Sequence, residues 1–455
     1  MTEGEETATR VTDSPSPIEM KPSGDMKPSG ATASSAPSSE TKNPYLSPPA
    51  PATVEANRGV RFDFNDGARV FVPTLAEGAG QWRIRLMDAE TGNILFDTKI
   101  AGGMVSSAKK YFVPFGIDVW FHAPDGTVEH VVNHVMELRE RQVFVQIPVG
   151  TLGDTLAWLP AVSRFARQTG AIVTATVSEA IYPLVHEADP HLSLVPHGEA
   201  REDKAFTARF YATYALGLFF TDKDHVRQPT DFRHVGLHRT AAYILGINPW
   251  NDKPPALNVP DTTPPIEGPY VCIAVQASTQ CKYWNNPGGW RDVVSFLKSC
   301  GYRVICIDQK PVYGQGIVWN HLPHGAEDET GSRPLAERVR WLRHAAFFVG
   351  LSSGLAWLAH AAGTPVVMIS GFTHPDNEFE TPYRVINWHA CNSCWNDAAH
   401  QFDHKDFLWC PRHANTPRQF ECSRLITGQQ VVRTIQRVLK DRVLPGAERP
   451  AYVTA

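Results

Sequence analysis

No stretch of this 455-residue chain stays apolar for the about 20 residues that a membrane-spanning helix needs. There is no basic surplus either. Lys and Arg number 43 against 47 Asp and Glu, a formal charge of −4, so the chain offers no electrostatic footprint for nucleic acid or an anionic membrane. The opening MTEGEETATR lacks the basic-then-apolar start of a secretory signal, so a cytoplasmic location is the expectation. Up to about residue 57 the chain has no aromatic residue except Tyr45 and is rich in Ser, Pro, Thr, Ala and Glu. Ordering it would bury almost nothing, and its repeated MKPSG, at Met20 and Met26, reads as low complexity; residues 1–57 are therefore expected to be a disordered tail.

The remaining chain has ample material for cores. Hydrophobic residues make up 42% of the whole sequence and charged ones 20%, and the length suits roughly two or three domains. From residue 58 to about 135, VRFDFNDGARVFVP, QWRIRLMDAETGNILFDTKI and KYFVPFGIDVWFHA alternate apolar with polar residues between Asn-Asp-Gly, Glu-Thr-Gly-Asn and Pro-Asp-Gly turns. Five or six short antiparallel strands in a small all-β barrel or sandwich are predicted, serving recognition, assembly or plain scaffolding.

From Gln142 the texture turns to strand–helix–strand. VFVQIPV is the continuous apolar run of a strand buried on both faces, followed by the helical spacing of TLAWLPAVSRFARQTG and the strand AIVTATV. A second cycle starts at YVCIAVQ and runs through GWRDVVSFLKSCG, YRVICID, PLAERVRWLRHA, FFVGLSS, GLAWLAHAAG and PVVMIS. Two doubly wound, Rossmann-like α/β domains, 136–260 and 261–455, with a cleft between them are predicted. This is the GT-B architecture of one glycosyltransferase class, although periodicity alone suits other two-domain α/β proteins.

Three phrases carry candidate chemistry. The first is Val149-Gly-Thr-Leu-Gly-Asp-Thr-Leu-Ala-Trp-Leu-Pro-Ala161, which leaves a strand and enters a helix at the edge where open α/β sheets bind ligands. Asp154 sits where that helix begins, so it is either a cap for backbone N–H groups or a general base for an attacking hydroxyl. The second, Ala277-Ser-Thr-Gln-Cys-Lys282-Tyr-Trp284, lies just after a strand. The third, Gly350-Leu-Ser-Ser353-Gly354-Leu355, is a strand–turn–helix whose first amides could receive phosphate oxygens.

Together these phrases resemble the segments of the lipopolysaccharide heptosyltransferases, a GT-B family. That resemblance implies Asp154 as catalytic base and Lys282, with Trp284 and Trp290 at matching spacing, as the cation facing a leaving nucleotide diphosphate. It implies donor contacts from Thr151, Gly153, Ser278, Thr279, Ser352, Ser353, Gly354 and Leu355. Ser352 stands where those enzymes have Asp, and Trp357 where they have His. With the β region and a C-terminal cysteine set, the chain over about residues 58–440 looks like the bacterial autotransporter heptosyltransferases.

Four of the eight cysteines form that set, Cys391-x2-Cys394-x15-Cys410-x11-Cys422. A close pair and two distant thiols can surround one tetrahedral ion, closed to water and hence structural. The ion would fold a loop-rich stretch holding His389, His400, His404 and His413. Spacing leans to zinc; the resemblance implies ferric iron. Cys272, Cys300 and Cys306 read as small core residues, and Cys281 is given no chemistry. Asp222-Lys-Asp224 has the form of a divalent-metal signature but falls in a polar loop, and Arg233 and His234 are placed near the cleft or on a solvated face.

The resemblance implies an inverting transferase without a catalytic metal, moving heptose from ADP-D-glycero-β-D-manno-heptose to Ser or Thr hydroxyls of an autotransporter adhesin, in a large homo-oligomer. The alternatives are heptose transfer to a lipopolysaccharide core, or a non-catalytic, metal-stapled binding or assembly protein.

Overall fold

A computed structural model of the chain describes residues 44–441, apart from 149–150, 251–252 and 316–317. Most of the expected tail, its repeat and Gly150 thus lie outside the described residues. The N-terminal strands are β1 (Val54–Glu55), β2 (Arg61–Asn65), β3 (Arg69–Val72), β4 (Gln81–Asp88), β5 (Ile94–Ile100), β6 (Gly103–Ser106), β7 (Phe115–His122) and β8 (Val128–Val135). The first α/β block runs β9 (Gln142–Gln146), α1 (Leu152–Thr169), β10 (Ile172–Val177), α2 (Tyr182–Val185), β11 (Leu192–Pro196), α3 (His197–Glu202) and β12 (Ala212–Ala215). Helices α4 (Phe232–Val235) and α5 (Leu237–Ile244) lead to the second block.

That block begins with β13 (Tyr270–Ile273), α6 (Gly289–Ser299) and β14 (Arg303–Cys306), then the hairpin β15 (Val312–Gln315) and β16 (Val318–His321), and β17 (Glu327–Asp328). It continues with α7 (Leu335–His344), β18 (Phe348–Leu351), α8 (Gly354–Ala361), β19 (Val366–Ile369) and β20 (Arg384–Val385). Short α9 (Glu421–Arg424) and α10 (Gly428–Asp441) come after a long loop. The strands of each block pair in parallel, in the orders β11-β10-β9-β12 and β17-β14-β13-β18-β19-β20. The two Rossmann-like halves expected of a GT-B fold are present.

The N-terminal strands are not one barrel or sandwich: they divide between two sheets. β2 lies parallel to β12, pairing Ala212 with Phe64, and β3 and β6 extend that first-half sheet antiparallel. Only β5-β4-β7-β8 form a separate four-stranded antiparallel sheet. The alternation in RFDFN suggests a wet face, but Asp63 is wholly buried. The Arg69 guanidinium satisfies it at 2.8 and 2.6 Å, and Asn65 Nδ2 donates to it at 2.8 Å. A charge paired this way behaves as a core residue, so β2 can take a central position. In β4, by contrast, Trp82, Ile84 and Leu86 point inward while Arg83 and Arg85 point out.

Residues 44–57, assigned to the tail by composition, lie against the first half. The Tyr45 hydroxyl donates to Leu216 O at 2.7 Å, the Leu46 N–H to Gln146 Oε1 at 2.7 Å, and Leu46 packs on Phe144, Phe206 and Phe210. Overall composition is blind to one tyrosine and one leucine placed where they dock.

Helix α1 follows its sequence closely. Asp154 in its first turn suits the positive end of the helix dipole, Leu156, Leu159, Val162 and Phe165 bury one side, and Gly170 ends it at φ 68°. Its flank meets α5, where Trp158 Nε1 donates to Leu237 O at 2.8 Å. Among the described residues no helix is long and apolar enough to cross a membrane.

Candidate active site

Thr151, in extended conformation, precedes α1, and its N–H donates to Asp154 Oδ2 at 3.3 Å. The capping role open to Asp154 is therefore real. It is not the whole of its environment. A Cβ added to Gly153 would lie 3.0 Å from Trp357 Cδ1, and one on Gly354 would lie 3.1 Å from Leu152 Cβ. The first turn of α1, from one half, thus abuts the first turn of α8, from the other, and glycine on each side permits it. Two helix N-termini converge beside Asp154.

At the start of α8, Ser353 is extended and its buried Oγ has no hydrogen-bond partner among the described residues. Such an orphaned polar atom is the kind of group that a bound ligand satisfies. Ser352 differs: it is buried, and its hydroxyl donates to Glu378, whose carboxylate is also ion-paired with Arg384. Its side chain is thus committed inside the second half. Leu355 is half-buried against the core.

Lys282 closes the short 3-10 turn Gln280–Lys282 that comes after β13. Its Nζ sits 5.8 Å from the ring centre of Phe372, 5.7 Å from Trp395 and 5.9 Å from Phe402. Three aromatic faces at this distance favour a cation electrostatically. Ser278 is exposed beside it, while buried Thr279 lies with its Oγ1 3.2 Å from Cys281 Sγ. Trp284 and Trp290 pack edge-on at 5.2 Å, and Trp284 is buried with its Nε1 on Ile426 O, so this pair supports the second half.

Asp154 and Lys282 face each other electrostatically. Burial raises the Asp154 carboxyl above its usual range, while the Thr151 hydrogen bonds, the Lys282 ammonium and His404 pull it back. His404, a residue the motifs did not mark, comes from the loop between the cysteines. Its ring lies edge-on to Phe220 at 6.0 Å and to Phe402 at 4.7 Å. Burial and then Lys282 push its imidazole down, against Asp154 and Asp403. Phe372, Trp395 and Phe402 were missed for the same reason: only the fold brings them to Lys282. Trp395 and Phe402 lie between the cysteines, which was the available signal, but Phe372 comes earlier, just after β19.

The four cysteines of the spaced set gather at one corner. Cys422 feels Cys394, Cys410, Cys281 and Cys391, and burial followed by these neighbours holds its thiol high. Burial, and then Cys391, pushes Cys394 up to about 12. Crowded buried thiols are what a cation relieves by binding them deprotonated. A second donor group, Cys391 with His413 and Glu421, has its ligand atoms within 4.8 Å of one another. Glu421 is already engaged: Arg418 holds its oxygens at 2.7 and 2.8 Å, the Cys391 N–H donates at 3.1 Å, and the carboxyl is held down at about 2. Arg412 Nη1 lies 3.6 Å from Cys391 Sγ. The donor chemistry therefore fits a soft cation on sulfur, with Glu421 and Arg412 supporting it. Cys281, in the same corner, joins the sulfur neighbourhood to the Lys282 turn.

Cys272 and Cys306 are buried in β13 and β14, while Cys300 is only partly buried at the end of α6. Asp222 is spent on its own loop, accepting the N–H groups of Val226, Arg227 and Gln228 at 2.8, 2.8 and 3.0 Å. Arg233 is pinned by Asp231 at 2.6 Å and its carbonyl accepts from Asn396 Nδ2 at 3.0 Å, so the cysteine loop rests on the first half there. His234 is exposed.

Known proteins resemble this chain in sequence and fold. The pattern described as glycosyltransferase TibC, N-terminal domain, matches residues 57–123, and that of glycosyltransferase family 9 (heptosyltransferase) matches residues 250–406. The autotransporter heptosyltransferase BAHTCr of Citrobacter rodentium is 50% identical over 396 residues, covering 87% of this chain and 92% of its own. The chain belongs to the autotransporter heptosyltransferase family. Within this family, the crystal structure of the dodecameric, iron-containing heptosyltransferase TibC in complex with ADP-D-beta-D-heptose is 47% identical. It superposes at TM-score 0.80, covering 87% of this chain and all of that one. The family also holds a relative named as inactive, BimC of Burkholderia thailandensis, 42% identical over 86% of this chain and 89% of its own. Membership therefore leaves activity to be argued from the site.

Proposed function

We propose that this chain is a cytoplasmic protein O-heptosyltransferase, moving heptose from ADP-D-glycero-β-D-manno-heptose to Ser or Thr hydroxyls of an autotransporter adhesin. The observation that carries the reading is the facing of Asp154 and Lys282 where the first turns of α1 and α8 meet. Asp154 takes the proton of the acceptor hydroxyl as its oxygen attacks the anomeric carbon. The bond from that carbon to the ADP oxygen breaks on the opposite face, so the configuration inverts. ADP departs with its charge met by Lys282, the α8 amides and Ser353 Oγ. No metal ion takes part in these steps.

Cys391, Cys394, Cys410 and Cys422 would hold one structural ion, ferric iron or zinc (TibC is iron-containing), which supplies a cross-link for the loop and no chemistry to the transfer. A large homo-oligomer, as in TibC, completes the proposal.

Replacing Asp154 by Asn should lower kcat by about two to four orders of magnitude while leaving ADP binding, measured calorimetrically, intact. Retained transfer would remove the base assignment. Because one relative is named inactive, a non-catalytic binder is the competing reading. The wild-type chain should release ADP slowly from ADP-heptose even without acceptor, and a binder would release none.

A further inference from the structure

Beside the active site lies a cavity of ≈ 410 Å³ that none of these steps uses. Phe219, Phe220, Lys223, His225 and Thr230 contribute to its walls, together with the carboxylates of Asp222 and Asp231. All belong to the first half, between β12 and α5.

We propose that this cavity docks the polypeptide residues flanking the acceptor Ser or Thr. The inference rests on the transferase reading and adds the place and class of its acceptor. Three observations converge. Phe220 is wall to both cavity and active site: its ring lies edge-on to Trp395 at 5.7 Å and to His404 at 6.0 Å, and Trp395 in turn faces Lys282 Nζ at 5.7 Å. An extended chain advances about 3.3 Å per residue. About three to four residues beyond a hydroxyl held at Asp154 therefore cover the span of two such ring contacts.

The wall chemistry is wrong for the donor. Lys223 and Arg233 offset Asp222 and Asp231 here, leaving no net charge to draw a diphosphate, whereas Lys282 and the α8 amides await it elsewhere. Asp231 is ion-paired with Arg233, Asp222 accepts three backbone N–H groups, and Lys223 supplies the second positive charge, so the wall is close to balanced in charge. Paired aromatic rings with compensated charges suit an uncharged, polar peptide. The volume lies at the lower end for ligand sites and accommodates a few small residues. The wall is also braced, since Tyr45 packs on Phe219 with ring centres 6.2 Å apart and ties its hydroxyl to Leu216.

The test compares a synthetic Ser/Thr-containing nonapeptide with the tripeptide at its centre, in the wild-type protein and in Thr230→Trp, which fills the cavity. Lys223→Trp, at a more open position on the wall, is a second plug should the first impair folding. In the wild type the nonapeptide should have a KM about tenfold below that of the tripeptide. Either plug should erase that advantage while leaving the KM for ADP-heptose and acceptor-free ADP release unchanged. Equal KM values for the two peptides in the wild type overturn the proposal. So do a length advantage that survives both plugs, and a rise in donor KM, which would give the cavity to the sugar. If ADP is released but neither peptide is modified, the docking proposal fails alone; if no ADP is released at all, the transferase reading fails first.

Discussion

Asp154 caps its helix and, in the proposed mechanism, serves as the base as well. Its Oδ2 accepts from Thr151, and its carboxyl faces Lys282 and His404. Because burial raises its pKa, the acid limb of kcat/KM should lie above the usual carboxylate range of about 4. A base works only when ionised, so activity should fall as pH drops through that raised value; a limb at the ordinary position would contradict the burial argument. A second buried acid, Asp308, acts on stability instead. It accepts from Val275 N at 2.6 Å, and burial raises it to about 7. The folded chain thus holds this proton more tightly than the unfolded one. The group's contribution is complete below about pH 4 and lost as pH climbs to about 7. Asp308→Asn should therefore show a smaller drop in Tm between pH 5 and pH 8 than the wild type. At this scale Asp154 and Lys282 were legible because short glycine- and lysine-bearing phrases mark strand ends. His404 was not, because its placement depends on contacts far along the chain.

Among the elements, the α1–α8 junction and the cysteine loop set the geometry of the site. Gly153→Val would thrust two further carbons toward a Trp357 already 3.0 Å from an added Cβ. The helix starts would separate, with kcat/KM falling about tenfold or more and Tm by a few degrees, read by steady-state kinetics and calorimetry. The loop's aromatic rings and His404 surround Lys282, so the ion and the site should fail together. Cys422→Ser, or chelation, should lower Tm and transfer in parallel; loss of transfer with Tm unchanged would make the ion catalytic. The parallel strands were readable as continuous apolar runs. β2 was not: its buried Asp63 mimics a solvent-facing position until Arg69 is placed beside it.

On the scale of the whole molecule, the β5-β4-β7-β8 sheet leaves an apolar edge in water. Ile94, Leu95 and Phe96 follow one another on its outer strand, all about half exposed, and Val128 and Val135 are exposed on β8. An exposed apolar edge strand invites another chain, and the related TibC is dodecameric. Phe96→Glu should shrink the assembly, measured by light scattering, while changing protomer Tm little because the side chain is not in the core. Sequence patterning showed that a β region stands apart in texture. It could not show that half of that region would join the neighbouring sheet, since strand partners are chosen by three-dimensional contact.

The cysteine loop hangs from the second half of the chain yet rests on the first, where Asn396 grips the Arg233 carbonyl. It spans the two halves like a strap. With an ion on the four cysteines, as proposed, the tautness of that knot would set how widely the halves part to admit a nucleotide sugar.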